Sequence, residues 1–337
     1  MDFTRYQSID NSYRLKTIGY IQEGLPGATF VVQEKIHGSN FGAFTDGEEV
    51  KFGKIGSFLK EGDSFYNYEV NVDIAEYSRK IKEMFEFAKR GHPHIKQLEI
   101  RGEICGGSYP HPDVEKVAGV SRVQSEVLYS PNIHVLAFDI KIDGEFVNMN
   151  VFTTLCEQFD IPYLPLLFKG TLEECLNYSN EYPPHLPGLL GLPPIEDNVC
   201  EGNVIKPLIT ARFDNGKRVV VKNKNAKFSE KSGQKGTPQS KDPVPQHVMD
   251  MMEKGSIYVC ENRLKNVLSH IGGVQQNEFG KILGLMSKDV IEDFVKDEPE
   301  FLEMDRKERK EVTRFLNGKI GFLIRGNFSN IIDGTYC

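Results

Sequence analysis

EKIHGSNF, residues 34–41, joins two apolar stretches through a polar turn. The stretch before it, Ala28–Glu34, and the stretch after it, Phe41–Phe44, both have the composition of β-strands. Lys35 therefore stands where a strand ends, two residues before His37-Gly38, and its amine is predicted to point out of a sheet edge. A lysine amine is a nucleophile only when it is neutral or held against its reaction partner. The segment thus predicts a strand pair with a candidate reactive amine, although most single lysines are surface residues.

Strands alternate with helical stretches through the first two thirds of the chain. Asn71–Arg90 has apolar residues at helical spacing and ends before Gly91-His92-Pro93, which predicts a helix. Further strands are predicted at Glu49–Gly53, Gln97–Ile104, Ile133–Ile142, Asn203–Pro207 and Arg218–Lys222. This order predicts an α+β domain that occupies residues 1–230.

The last third of the chain has a different character. SEKSGQKGTPQSKDPVPQ, residues 229–246, is rich in Ser, Gly, Pro and Lys, which is typical of a linker. We place the linker at 231–246 and a small all-helical domain at 247–337. The helices of that domain are predicted at His247–Ile271, Glu278–Val295 and Glu303–Phe322, with Gly272-Gly273 as a stop signal.

Composition limits the class of protein. With 39% hydrophobic and 26% charged residues, the chain has the makeup of a globular protein with a proper core. No apolar stretch approaches the roughly 20 residues that span a bilayer, and the first residues do not resemble a secretory or transit peptide. The six cysteines include no C-x-x-C pair. We therefore expect an intracellular, cytoplasmic protein with reduced thiols and no zinc site, and a stand-alone protein of this size would suit the host cell of a virus or phage.

Charge is unevenly distributed. The net charge of −7 disfavours a nucleic-acid partner, but a sum over the chain hides local fields. Between Ile205 and Lys241 there are ten basic residues against only Asp214 and Glu230. Such a run usually forms a solvated face. Here several of its members fall inside an apolar strand pattern, which solvation alone does not explain.

Four further segments place charged side chains at strand ends. They are LEIRGE, ending at Glu103; VLAFD, ending at Asp139; CEGNVIKP, which pairs Glu201 with Lys206; and VVVKNK, ending at Lys224. Lys222 and Lys224 stand at i and i+2, hence on one face of a strand. Together with Lys35 these segments supply a nucleophilic amine, carboxylates for a divalent cation, lysines for a triphosphate and an aromatic ring for a base. Nucleotidyl transfer needs that set, since its catalysis is mostly positioning and charge neutralisation.

In this order the segments resemble the motifs of the covalent nucleotidyltransferases, which comprise DNA ligases, RNA ligases and mRNA capping enzymes. Within that superfamily the chain resembles the RNA ligase 2 family, named for a T-even phage enzyme and including the trypanosome RNA-editing ligases. EKIHGSNF has His37 where DNA ligases and capping enzymes usually have Asp. VKNKNAKFSEK, residues 221–231, matches the family's last motif, and YVCENRLKNVLSHIGG, residues 258–273, resembles the start of its helical carboxyl-terminal domain.

The resemblance implies a fold and a role for each matched residue. The fold is an ATP-grasp-like adenylation domain of antiparallel sheets with flanking helices, followed by the helical domain. Lys35 would attack the α-phosphate of ATP, Phe138 and Val204 would enclose adenine, Glu103 would bind the ribose, and Lys222 would contact the α-phosphate. The full set it implies is Lys35, His37, Lys222 and Lys224 for catalysis; Glu34, Ile36, Asn40, Lys54, Glu103, Phe138, Val204 and Lys206 for further ATP or AMP contacts; Glu201 and Asp139 for metal; and Arg263 and Asp289 for RNA.

One position departs from the family pattern. The family commonly has an Arg shortly after the first motif, whereas the matching segment here, residues 53–58, offers Lys54. Lysine keeps the charge but loses the bidentate geometry that arginine offers a phosphate.

The implied activity is an ATP-dependent RNA ligase that joins 3′-hydroxyl and 5′-phosphate ends, at nicks in duplex RNA. It would act as a monomer with ATP and Mg²⁺, for which Mn²⁺ substitutes. Two alternatives stay open at this point. One is a guanylyltransferase-like capping enzyme that uses GTP with the same lysine chemistry, and the other is a non-catalytic protein that binds RNA ends.

Overall fold

The computed structural model describes residues 1–228 and 245–336. The chain divides into two compact units, Met1–Asn225 and Ala226–Cys337. The expected linker lies almost wholly outside the described residues, so its bounds at 231–246 stay a prediction. None of the helices in the described ranges has the length and apolar composition needed to cross a membrane.

The first unit is built from eleven strands and six helices. The strands are β1 (Asp10–Asn11), β2 (Phe30–Glu34), β3 (Ser39–Thr45), β4 (Val50–Lys54), β5 (Ser57–Phe58), β6 (Leu98–Ser108), β7 (Ser130–Ile142), β8 (Glu145–Phe146), β9 (Phe168–Gly170), β10 (Gly202–Pro207) and β11 (Val221–Lys224). The helices are α1 (Leu15–Gly24), α2 (Tyr68–Asn71), α3 (Ile74–Gly91), α4 (Met149–Gln158), α5 (Leu172–Asn177) and α6 (His185–Leu189).

These strands form two sheets that are antiparallel apart from the β1–β11 pair. The first has the order β1-β11-β10-β2-β9 and the second the order β5-β4-β3-β6-β7-β8. Sequence neighbours β2 and β3 lie in different sheets, so the turn that contains Lys35 and His37 connects them. The predicted α+β fold is confirmed.

Period-two alternation gives each sheet one apolar and one polar face. In the first sheet Val32, Ile205 and Val221 pack in one core. Val204 pairs directly with Lys222 across the strands and so faces the other way. In the second sheet Phe41 and Ala43 enter a separate core, while Asn40 stands opposite Glu103 on the other face. Most of the predicted functional residues of the strands therefore lie on the sheet faces opposite these two cores.

Most sequence-predicted elements in this unit differ from the observed ones by one to four residues at an end, and two of them begin three residues later than predicted. The helix expected from Asn71 begins at Ile74, because the Asp73 side chain accepts a hydrogen bond from Glu76 N and caps it. The strand expected from Arg218 begins only at Val221, since the Arg218 amide donates to the Gln7 side chain instead of a neighbouring strand.

In the part of the second unit that the structure describes, five α-helices surround one apolar core. They are α7 (Gln246–Ser256), α8 (Glu261–Ser269), α9 (Phe279–Asp297), α10 (Glu300–Glu303) and α11 (Arg306–Ile332). The single helix expected over 247–271 is two helices, because the chain turns at 257–260 and buries Tyr258, whose hydroxyl donates to Asp297. The last helix runs beyond the expected Phe322, since Ile324 and Ile331 continue its buried stripe.

Candidate active site

The Lys35 amine lies against a buried carboxylate. The Lys35 amide donates to Gly202 O over 2.8 Å, which extends the β2–β10 pairing to the first residue of the turn. The side-chain Nζ lies 2.7 Å from Glu201 Oε2. The Lys35 side chain is 21% exposed and that of Glu201 only 4%, so the amine is reachable from outside while its partner is fixed behind it.

Glu201 is shared by a second lysine. Lys224 Nζ lies 2.8 Å from Glu201 Oε1, so each carboxylate oxygen has an ammonium partner. Burial by itself would raise the pKa of Glu201, but Lys224 and Lys35 outweigh it and hold that pKa well below its usual value. Lys222 stands two residues before Lys224 and opposite Val204. Two lysines of one strand face therefore approach the Lys35 region.

His37 joins the same network. Its Nδ1 lies 3.2 Å from Glu201 Oε2 and its Nε2 lies 3.0 Å from Glu126 Oε2. Burial opposes protonation of the ring, but the hydrogen bonds to Glu126 and Glu201 outweigh it and raise the pKa of His37. The Tyr129 hydroxyl accepts a hydrogen bond from the His37 amide over 2.9 Å. The contacts with Glu126 and Glu201 thus favour the protonated form of His37, which shares Glu201 with the Lys35 amine.

Glu103 closes another side of this site. It is partly buried on β6, opposite Asn40 of β3. Burial raises the pKa of Glu103, and the negative charge of Glu201 raises it further. The positive charge of Lys35 lowers it in part, and the resulting pKa is about 7. Gly38 makes this packing possible, since a Cβ there would lie 2.1 Å from Ile104 O. Asn40 Oδ1 is buried without a hydrogen-bond partner among the described residues, so one acceptor points into this region unused.

Glu34 points to the other side of its strand from Lys35. Its Oε2 accepts hydrogen bonds from the His185 amide and Nδ1 over 2.9 and 2.8 Å. Its Oε1 is buried and has no hydrogen-bond partner within the described ranges. An unpaired buried acceptor costs about 1–3 kcal/mol, and a ligand that brings an N–H group would remove that cost. The neighbouring Ile36 is buried.

A β-bulge sets the position of Phe138. Arg101 pairs with Asp139 and Gly102 with Ala137, which leaves Phe138 as the extra residue of β7. Bulges re-aim side chains and are frequent beside active sites. The Phe138 ring is partly buried and packs edge-on against Tyr6 at 5.2 Å. Its stacking with Val204 around a base stays a prediction.

Asp139 and Lys206 lie in contact with each other. Asp139 Oδ1 lies 2.9 Å from Lys206 Nζ, and its Oδ2 lies 2.6 Å from Arg218 and 2.5 Å from the Tyr6 hydroxyl. Lys206 also donates to Phe138 O over 2.7 Å. Both oxygens of Asp139 are taken and both side chains are buried. Asp139 and Lys206 thus form a buried ion pair, and the expected metal role of Asp139 and ATP contact of Lys206 stay predictions.

Lys54 belongs to the second sheet, at the end of β4. It pairs with Ser57 in the hairpin of β4 and β5, on an edge of that sheet. No described contact ties it to the Lys35 cluster, and its phosphate contact stays a prediction.

Arg263, to which an RNA contact is assigned, lies in an ion-pair network of the helical unit. The Arg263 side chain is 1% exposed, and its guanidinium pairs with Asp289 and, over 3.0 Å, with Asp293. This triad holds α8 against α9 inside the helical unit. The RNA contacts of Arg263 and Asp289 stay predictions.

The basic run after Ile205 is largely paired within the unit, not spread over a solvated face. Besides the ion pairs already described, Arg212 Nη2 lies 2.7 Å from Glu145 Oε2 and Lys217 Nζ lies 2.5 Å from Asp10 Oδ2. Lys231, Lys235 and Lys241 lie outside the described residues.

Several residues of the site had not been expected. They are Glu126 and Tyr129, which hold His37; Gln124, which donates to Gly38 O over 3.3 Å; and His185, which holds Glu34. None of them belongs to a motif. Each comes from a segment far along the chain from its partner, so only the fold reveals the contact.

The donor set can be tested against a divalent cation. No cluster of three or more His, Cys, Asp or Glu side chains in residues 1–228 and 245–336 has the arrangement of a metal site. Glu201 nevertheless lies close enough to Glu103 to help raise the pKa of Glu103. Mg²⁺ in nucleotide sites is commonly held by one or two carboxylates, phosphate oxygens and water. The residues fit a cation that arrives with the nucleotide.

Comparison with known families decides what this arrangement belongs to. A family model described as RNA ligase matches residues 28–224, and one described as T4 RNA ligase 2 C-terminal matches residues 242–321. The chain belongs to the RNA ligase 2 family. The sequence resemblance is thereby confirmed in both parts of the chain.

Named relatives agree with this assignment. The chain is 29% identical over 370 residues to RNA-editing ligase 2, mitochondrial, of Trypanosoma brucei brucei, covering 93% of this chain and 88% of that protein. It is 32% identical over 238 residues to RNA-editing ligase 1, mitochondrial, of the same organism, covering 61% of this chain and 50% of that one.

Solved structures with similar folds include Naegleria gruberi RNA ligase with PPi, at a TM-score of 0.43 and 17% identity over 67% of this chain and 57% of that chain. A mutant of the same enzyme with ATP and Mn matches at a TM-score of 0.46 and 17% identity, over 68% and 58%. The family assignment rests on the sequence matches and not on these scores.

Proposed function

We propose that this ATP-dependent RNA ligase seals nicks in duplex RNA through an AMP carried on Lys35. Membership of the family assigns the activity class and its need for ATP and a divalent cation. The observation that carries the proposal is the position of the Lys35 amine, 2.7 Å from a buried carboxylate that Lys224 also contacts.

In the first step the Lys35 ammonium gives one proton to solvent and attacks the α-phosphorus of ATP as a neutral amine, and a second proton leaves the nitrogen as the new bond forms. A P–N bond forms, the bond to the pyrophosphate oxygen breaks, and pyrophosphate leaves with the negative charge. Lys224 and His37 contact the same carboxylate as the amine, so Lys224, and His37 when protonated, can neutralise the charge that develops on the phosphates. Glu201 keeps Lys35 aimed until the nucleotide arrives. A bound divalent cation would supply further neutralisation of the phosphates.

Selection of adenine is assigned to Glu34. Its buried Oε1 lacks a hydrogen-bond partner within the described residues, and the adenine 6-amino group is an N–H donor. Guanine presents a carbonyl oxygen at the same position, which a carboxylate would repel. This difference supports ATP over GTP, and with it an RNA ligase over a guanylyltransferase-like enzyme.

The later steps use the same phosphate contacts. AMP passes from Lys35 to an RNA 5′-phosphate, and a 3′-hydroxyl then displaces AMP to form the phosphodiester. Lys222 and Lys224, on one face of β11, are the cations placed to hold the α-phosphate through these transfers. Once AMP has left, Lys35 is free to pair with Glu201 again.

The natural substrate and setting are further parts of the proposal. Names of the relatives as RNA-editing ligases support a substrate in which a nick lies within paired RNA. We assign the active species as a monomer, since Lys35 and its partners all come from the unit Met1–Asn225 of one chain. The five free cysteines among the described residues support a reducing, intracellular compartment.

Ligation assays test this directly. Nicked duplexes of all RNA, of RNA with a DNA strand on either side of the nick, and of all DNA are compared with single-stranded RNA ends. Sealing should be fastest with RNA at the 3′-hydroxyl side of a duplex nick, because 2′-hydroxyls and A-form shape distinguish RNA. Equal sealing of single-stranded ends, or of all-DNA nicks, would refute the substrate assignment, and Lys35→Ala supplies the background.

A further inference from the structure

A groove in the helical unit lies between α10 and the start of α11. Its volume is about 570 Å³, and Leu302, Asn317 and four cations line it. The cations are Arg306, Arg309, Lys310 and Arg314, and we call this set with its floor the basic groove. Their spacing of three, four and eight residues places them along one face of α11.

In the part of the chain that the structure describes, these cations have no carboxylate partners. Within residues 1–228 and 245–336, no Asp or Glu lies within ion-pair distance of any of the four. Some other helical cations are paired, as Arg79 is with Glu76 and Glu83 and Lys281 is with Glu278. Four like charges gathered on one helix face repel each other. An anion that enters the groove would remove that repulsion.

The shape of the basic groove favours a polymer over a small anion. From Arg306 to Arg314 the helix rises about 12 Å, at 1.5 Å per residue. Phosphates of one strand follow one another at about 3.4 Å along a duplex axis, so this length matches several consecutive phosphates. Three of the four cations are arginines, whose planar guanidinium matches phosphate oxygens in pairs. Arg309 is oriented across the groove by a hydrogen bond to Leu302 O of 3.0 Å.

The lining also distinguishes backbone contact from base contact. Phe301, the aromatic ring in the wall, is buried at 4% exposure and offers no stacking platform. The remaining wall residues are polar or aliphatic. We propose that the basic groove binds the phosphate backbone of the duplex RNA substrate, away from the reacting ends. This inference rests on the proposed function, since that function supplies duplex RNA as the partner.

The test changes charge at the groove and compares it with an equal change elsewhere. The groove variant is Arg306→Gln, Lys310→Gln, Arg314→Gln, which leaves the Arg309 hydrogen bond intact. The control variant is Lys254→Gln, Lys281→Gln, Lys288→Gln, three cations of the same unit that pair with Glu298, Glu278 and Glu292. Both variants lower the net charge by the same amount.

The measurement is equilibrium binding of a nicked RNA duplex, without ATP, over a range of salt concentrations. Each lost phosphate contact lowers the slope of log K against log salt by about 1. We expect the slope of the groove variant to be smaller than that of the wild type by about 2 to 3, and its affinity for the duplex to be at least about tenfold lower. The slope and affinity of the control variant should change little. The single variant Arg314→Gln should have a slope smaller by about 1. A thermal unfolding curve of each variant checks that it is folded.

The outcomes separate this inference from the proposed function. A groove variant that binds with the wild-type slope overturns the inference, and so does an equal loss in the control, which would show only an effect of net charge. The inference would also be overturned by an acidic peptide that binds the groove of the wild-type protein without displacing the RNA duplex. If wild type binds the duplex through the groove but does not seal its nick, the proposed function fails and the groove stands.

Discussion

Replacement of Asp139 by Asn should destabilise the first unit severely. Asp139 is 2% exposed and is shared by two buried cations, Lys206 at 2.9 Å and Arg218 at 2.6 Å, while Tyr6 donates to it as well. Asp139→Asn keeps the shape but removes the charge. Lys206 and Arg218 would then remain buried together without a counter-ion.

Removal of one partner from a buried ion pair costs about 3–5 kcal/mol, because it leaves an uncompensated charge away from water. For a unit of this size, about 1 kcal/mol shifts the melting temperature by roughly 2 to 4 °C. The expected fall is therefore about 6 to 20 °C at neutral pH. A matched control is Glu145→Gln, which breaks an exposed pair with Arg212 and should change stability by no more than about 0.5 kcal/mol.

The pH dependence gives a second test of the same residue. Burial opposes ionisation of Asp139, but Arg218 and Lys206 outweigh it and hold the pKa of the folded protein below the usual value. Its stabilising contribution is thus present above the unfolded pKa of about 3.9 and is lost as the pH falls below it. The melting temperatures of wild type and Asp139→Asn should differ most near neutral pH and should approach each other in acid.

Thermal unfolding followed by circular dichroism, from about pH 1.5 to 8, measures both effects. The reasoning is refuted if Asp139→Asn has the melting temperature of the wild type at neutral pH but needs more Mn²⁺ or Mg²⁺ than the wild type for adenylylation. That result would favour the metal role that the motif position of Asp139 indicates.

Three further substitutions probe the site itself. Glu201→Gln removes the shared partner of Lys35 and Lys224, and should slow single-turnover formation of lysyl-AMP by at least about 100-fold; a rate within threefold of wild type would contradict it. Glu103 has its pKa raised to about 7 by burial, so wild type should lose stability relative to Glu103→Gln as the pH rises from about 4.3 through 7; parallel melting curves over that range would disprove the assignment. Glu34→Gln should lower the preference for ATP over GTP in labelling by about tenfold or more, and an unchanged ratio would show that Oε1 does not read the base.

The fold and the family could be predicted from the sequence because their signals are local and ordered. Strand alternation fixed β2, β3, β6 and β10 to within a few residues, and the linker composition separated the helical part. The motifs also named Lys35, Glu201 and Lys224, which the structure places within 2.8 Å contacts. Two lysines at i and i+2 have to share a strand face, so their pairing follows from backbone geometry alone.

What could not be predicted depends on partners distant in sequence. Asp139 and Arg263 stand at motif positions, but Asp139 forms an ion pair with Arg218 and Arg263 forms one with Asp293. No spacing rule in the sequence connects the members of either pair. Glu126 lies in a segment without regular structure, and only the folded chain brings it 3.0 Å from His37. Motif position locates a side chain on its strand, whereas the surrounding fold decides whether that side chain meets solvent, ligand or another charge.

The most direct test is to locate AMP on the protein. Wild type incubated with ATP and Mg²⁺, without RNA, should gain the mass of one AMP, and peptide mapping should place it on Lys35. Addition of a nicked RNA duplex should discharge it with appearance of the sealed strand. AMP found on another lysine, or retained by Lys35→Ala, would contradict the account.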